Sequence, residues 1–151
     1  MNGPTATDKQ AQLKNALRKV ERAKAALDAP GARDLYAEFM SRFALCEIGY
    51  KSLLKDYRKA RGQSTKDEDL KIVRDEQRRV LRAYGIDADC ATVVSVFDAT
   101  STIGRRNARG LRNSLAHAPN TEALDELARK QGDLFAAMDA FIDLIRTAKV
   151  P

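Results

Sequence analysis

Apolar positions recur along most of this chain at the three- and four-residue spacing of a helix that buries one face. The first such pattern runs from about Asp8 to Leu27. Leu13, Leu17, Val20 and Leu27 mark its stripe, Ala16 and Ala23 lie between them, and Lys and Arg cover the rest. The sequence Asp28-Ala29-Pro30-Gly31 then interrupts the pattern, as a Pro-Gly pair should. A second, longer pattern spans about Arg33 to Ala60 and carries Leu35, Phe39, Phe43, Cys46, Tyr50, Leu53, Leu54 and Tyr57. Thr65 followed by Glu68 reads as a capping box, in which side chain and backbone satisfy each other's free donors. A third helix is therefore expected to start there and to bury Leu70, Val73, Val80, Leu81 and Tyr84, with Gly85 as its stop.

A fourth element begins near Asp89. Its run from Ala91 to Thr100 is rich in β-branched residues, which leaves strand as an alternative, but its helical neighbours favour helix. The fifth pattern covers Thr102 to His117. The sixth covers Asn120 to about Ala148, with Leu124, Leu127, Leu134, Phe135, Met138, Phe141, Ile142 and Ile145 on the buried side. The four prolines, at positions 4, 30, 119 and 151, all fall outside these helix interiors. Long helices joined by short connections predict an all-α, up-and-down antiparallel bundle of five to six helices. Residues 1–30 are expected to form a tail and an accessory helix, and residues 31–151 the bundle itself. Helices 2, 3, 5 and 6 should make the core, with helix 1 packed on the outside or contributing to a dimer surface.

Composition agrees with this and removes several functions. Alanine is the commonest residue, aromatic residues make up 6% and Trp is absent, a balance that favours helix over strand. At 151 residues a core can form without a disulfide or metal. No apolar run is long enough to cross a membrane, and the charged first segment has no signal-peptide core. Cys46 and Cys90 share no motif and are expected to be reduced residues of a cytoplasmic protein. One His and two scattered Cys do not supply zinc ligands at short spacing. Neither GxGxxG nor a Walker-type phosphate loop occurs, so no cofactor and no metal is expected. The net charge of +6 allows a nucleic-acid partner without demanding one.

Residues 102–117 hold four arginines and no acid. On a helical wheel Arg105, Arg109 and Arg112 fall within about 60° of one another, with Arg106 and Asn113 at the flank. Ala108, Leu111 and Leu115 fall opposite, with Gly104. A solvated cationic face is the simplest reading. Against it, like charges three and four residues apart destabilise a helix by a few tenths of a kcal/mol each, and no acid within the segment relieves them. That arrangement points to an external anion, or to an acid from another helix, for which Glu38, Glu47 and Asp56 are candidates. His117 is the only histidine. Pro119 pushes Ala118 out of helical geometry, so the helix should end at His117, with its imidazole at the negative end of the helix dipole.

The string Arg112-Asn113-Ser114-Leu115-Ala116-His117 resembles the Arg-x4-6-His motif of HEPN domains, where the residue after Arg is often polar, as Asn113 is. Chain length, helical character and the motif's place before one last long helix extend the resemblance over roughly residues 31–148. It implies metal-independent RNA cleavage by a homodimer that joins two Arg–His pairs in one composite site. RNA carries its own nucleophile, the 2′-hydroxyl. An imidazole can take or give a proton near neutral pH, and a guanidinium can fork two donors onto phosphate. The resemblance thus makes His117 the acid–base residue and Arg112 the phosphate ligand, with Asn113 orienting one of them or hydrogen-bonding the phosphate. Arg105, Arg106 and Arg109 would hold flanking phosphates, with solubility an equal account of Arg106. It also implies phage defence or a toxin–antitoxin system, with an inhibitor or antitoxin as partner protein.

One subgroup of the family carries a Tyr two residues after the His, modified by a paired nucleotidyltransferase; here that position is Pro119. Other readings stay open. A non-catalytic module binding RNA, a nucleotide or a protein would use the same patch. A phosphotransfer domain would need its His in mid-helix. A hydrolase using Ser114 lacks an acid partner and a nucleophile elbow.

Overall fold

The computed structural model describes residues 3, 5–100 and 102–151. It contains α1 (Ala6–Asp28), α2 (Ala32–Ala60), α3 (Arg74–Ala83), α4 (Ala91–Phe97), α5 (Ala108–His117) and α6 (Thr121–Arg146), with one 3-10 turn at Asp67–Asp69. No strand occurs among the described residues, and the helices pack as the expected all-α bundle.

The two long helices α2 and α6 form its spine. Phe39, Phe43, Cys46, Tyr50 and Leu54 on α2 are buried together with Leu127, Leu134, Met138 and Phe141 on α6. The β-branched run from Ala91 is helical, not strand. Val93, Val94 and Val96 each cost a few tenths of a kcal/mol in helix propensity. Burying Val93, Val96 and Phe97 returns about 1.5–3 kcal/mol apiece, so packing decides. The Phe97 ring meets Phe141 edge-on, with centroids 4.7 Å apart, and lies 6.1 Å from Phe43 and 5.9 Å from Tyr50. Helices 2, 3, 5 and 6 supply core residues as expected, and α4 joins them with Val93, Val96 and Phe97, a part the expectation did not give it.

The third helix starts at Arg74, not near Thr65. Arg58 on α2 explains the delay. Its Nη1 donates to the carbonyl oxygens of Asp69 (2.7 Å) and Ser64 (3.4 Å). Its Nε and Nη2 grip the Glu76 carboxylate at 3.0 and 2.6 Å. Residues 64–73 are gathered around this guanidinium, and the Thr65–Glu68 box does not form. A capping box does form at Thr5 and Asp8, where the Thr5 hydroxyl accepts from the Asp8 N–H at 3.1 Å and the Asp8 carboxylate accepts from the Thr5 N–H at 3.2 Å.

Only the end of α1 joins the bundle, through buried Ala26 and half-buried Ala23 and Leu27. Every residue from Thr5 to Arg22 is exposed, and Leu13, Leu17 and Val20 remain 61%, 53% and 63% accessible. The first apolar stripe thus forms on a helix as expected but reaches the bundle only at its end, through Ala23 and Leu27. Cys46 and Cys90 are both free thiols. Burial, with Asp139 and Glu47 nearby, pushes the Cys46 thiol up to about 12, so it is an inert core group. Among the described residues no helix is long and apolar enough to cross a membrane.

Candidate active site

The arginine-rich segment is organised by an acid that lies outside it. Glu126, on α6, is fully buried. Its carboxylate accepts from the backbone N–H groups of Gly104 (2.8 Å) and Arg106 (2.9 Å), from Arg106 Nε (3.0 Å) and from Lys130 Nζ (2.9 Å). Lys130 also donates to the Arg106 carbonyl at 3.0 Å. Burial alone would raise the Glu126 pKa. The bonds from Lys130, the Gly104 N–H and Arg106 outweigh it and hold the group at about 2.

This hub sets where α5 begins. Gly104 adopts a φ of +84°, a conformation that glycine takes without strain, and it turns its N–H toward the carboxylate. Hydrogen bonds to a charged group contribute about 1.5–3 kcal/mol each, against about 1 for a helical amide bond. The chain between Thr102 and Asn107 therefore wraps Glu126 instead of extending the helix, which starts at Ala108. The expected helical start at Thr102 is corrected accordingly.

The expected cationic stripe is dismantled by the same geometry. Arg105 lies in the turn ahead of α5, exposed, and shares no helical face with Arg109 and Arg112. Arg106 is buried; its Nη1 donates to the Ser114 hydroxyl at 2.7 Å, and its role is to neutralise Glu126. It is withdrawn from any phosphate, which corrects its expected part in holding RNA. Arg109 is half-buried and donates to the carbonyls of Ile72 (2.9 Å) and Phe97 (3.4 Å), tying the end of α4 to the stretch before α3. Arg112 is 38% exposed and lies 3.3 Å from Glu47 on α2. Glu47 is one of the three acids suggested by the sequence, whereas Glu38 pairs with Arg42.

Arg112, Asn113 and Arg109 line a groove of about 470 Å³, with Glu47 and Lys51 from α2 and Lys71 from the stretch before α3. Asn113, Ser114 and His117 line a shallower groove of about 360 Å³ with Ala99 and Thr100. Asn113 is exposed on the ridge between the two. His117 is the last residue of α5 and is exposed, and Ala118 is extended (φ −165°, ψ 132°) ahead of Pro119, as expected. His117 lies five positions after Arg112, which is about 140° around the helix axis. One chain therefore presents the two side chains to adjacent flanks of α5, not to a common point.

Gly110 completes the rim. A Cβ there would stand 2.4 Å from the Thr100 carbonyl oxygen, so α5 approaches the preceding loop at a distance only glycine permits. Sequence reasoning missed Gly110, Glu126, Lys51 and Lys71. Two of these carried a signal. A glycine inside an amphipathic helix costs about 1 kcal/mol and asks for a reason. Glu126 sits between Leu124 and Leu127 on the apolar side of α6, four residues before Lys130. Lys51 and Lys71 reach the groove from other elements and carried none.

Among the described residues no group of three or more His, Cys, Asp or Glu is placed to hold a metal ion. Compared with family models, curated proteins and solved structures, the chain matches none of them.

Proposed function

We propose that this chain is a metal-independent endoribonuclease of the HEPN type, with its Arg112–His117 sites completed at a homodimer interface. The observation that carries the reading is selective exposure along α5. Asn113 and His117 are exposed and, with Arg112, open onto two adjoining grooves whose walls also include Arg109 and Ser114, both bonded within the fold, while Arg106, ahead of α5, is buried. An accessible imidazole and guanidinium suit attack by a ribose 2′-hydroxyl: one group moves a proton, the other neutralises phosphate. The 2′-oxygen bonds to phosphorus, the bond to the 5′-oxygen breaks, and that oxygen takes a proton, leaving a 2′,3′-cyclic phosphate. The reaction needs a base and an acid and each chain has one histidine, so in the proposed dimer one His117 acts as base and the other as acid. Asn113, on the ridge, orients either neighbour. Flanking phosphates would fall to exposed Arg105, to Lys71, and to Arg109 and Lys51, which line the groove while bonded to two carbonyls and paired with Glu47 respectively. A cytoplasmic setting in phage defence or a toxin–antitoxin pair, with an inhibitor or antitoxin as partner, follows from the resemblance alone.

A non-catalytic module binding RNA, a nucleotide or a protein is the second reading. The Arg112–Glu47 ion pair favours it, because a phosphate must compete with an internal carboxylate. Single-turnover cleavage of labelled RNA separates the two. Wild type should cut in excess EDTA and leave the cyclic phosphate, and DNA should remain intact. His117→Ala should lose about 10²–10⁴-fold in rate with RNA binding retained. RNA bound but never cut by wild type, or efficient cutting of DNA, would overturn the nuclease reading.

A further inference from the structure

α1 carries a seam that the bundle uses only at its end, where Leu27 is half-buried. Ala6, Gln10, Leu13, Leu17, Val20, Lys24 and Leu27 follow one another at alternating steps of four and three, the spacing of a coiled-coil seam. On a helix these positions stay within about 100° of arc. Residues 5–22 are all exposed, so no described residue buries Leu13, Leu17 or Val20. A helical segment of this length without tertiary packing is marginal in water, even with its Thr5–Asp8 cap. It calls for a partner with a matching seam.

We propose that α1 pairs antiparallel with α1 of a second copy of this chain. The charges choose the orientation. Beside the seam lie Lys9, Lys14 and Glu21, with Ala16 and Ala23. A parallel pair sets Lys9 against Lys14 of the partner subunit, a repulsion made twice. An antiparallel pair with Leu17 opposite Val20 of the partner subunit sets Lys14 beside Glu21 of the partner subunit, an attraction made twice. The same register brings Ala16 and Ala23 together, letting the helices approach closely. Sliding the antiparallel pair by one heptad would instead oppose Lys14 to its own copy. In the favoured register Leu13 packs on the stem of Lys24 of the partner subunit, whose ammonium reaches water. A lipid surface fits less well, because the apolar seam is narrow and holds no aromatic residue. The pairing stands on α1 alone and does not depend on RNA cleavage.

Sedimentation equilibrium of the full chain, from micromolar to submillimolar concentration, tests it. Wild type should show a monomer–dimer equilibrium. Leu17→Lys should weaken it by about tenfold or more while the circular dichroism of the bundle is kept, since Leu17 touches no core residue. Glu21→Lys should weaken it several-fold, and adding Lys14→Glu to Glu21→Lys should restore it. Monomer at every concentration, association indifferent to Leu17→Lys, or a charge swap that fails to restore pairing overturns the proposal. Gain or loss of RNA cleavage in these variants bears on the nuclease reading separately.

Discussion

At Glu126 a carboxylate with no access to solvent is held by Arg106, Lys130 and two backbone N–H groups. Removing one partner of a buried charge cluster typically costs 3–5 kcal/mol, because the remaining charges stay desolvated. Glu126→Gln keeps the shape and removes the charge, so it should lower stability by about 3 kcal/mol, or about 6–12 °C in Tm for a chain of this size. The pH dependence follows from the lowered pKa. The stabilising charge is fully present above 4.5, the ordinary value, and is lost as the pH falls through about 2. Acid unfolding of wild type should therefore steepen across that window, and the Glu126→Gln protein should show a flatter acid limb in calorimetry. Arg105 and Arg106 offer a contrast between neighbours. Arg106→Ala should destabilise strongly, whereas Arg105→Ala should leave Tm unchanged, because one guanidinium is buried and the other exposed.

At the scale of elements, Gly110 sets two effects against each other. Alanine gains about 1 kcal/mol of helix propensity over glycine. The added Cβ, 2.4 Å from the Thr100 carbonyl, forces α5 away from the loop that borders the His117 groove. Overpacking of this kind costs about 1–3 kcal/mol, so Gly110→Ala should lower Tm and reduce RNA cleavage together, where an exposed helical Gly→Ala change would raise Tm. The elements legible in the sequence were those with their own two-sided pattern. The stripes of α2 and α6 reappear as the spine of the core, and Asn120 caps α6 by accepting from the Ala123 N–H at 2.8 Å. The starts of α3 and α5 were not legible. Each is decided by one distant side chain, Arg58 for residues 64–73 and Glu126 for residues 102–107. Local propensity contains no record of either. The motif residues were legible as residue types, but their division between two grooves depends on contacts with α2 and with the loop after α4.

Across the whole molecule, cation placement makes a prediction about salt. If the chain binds RNA as a dimer, as proposed, three to six phosphate contacts per dimer would give a log–log slope of binding against salt of about −2 to −4, at roughly −0.7 per phosphate on a single strand. Arg105→Ala should lessen that slope by about 0.7 per site, and equally for unrelated RNA sequences. Variants of Arg106 that stay folded should leave it unchanged, because that guanidinium is buried against Glu126.

Arg112 and His117 lie on different flanks of α5, and the proposed sharing of one site by two copies has a consequence for mixed populations. If catalysis requires His117 from both copies, a dimer with one altered copy is silent. Unaltered dimers then form in proportion to the square of the wild-type fraction. Diluting wild type with an equal amount of His117→Ala protein, followed by full exchange of copies, should leave about a quarter of the active dimers instead of half. A titration of cleavage rate against mixing ratio should follow a parabola; a straight line would mean that each chain works alone.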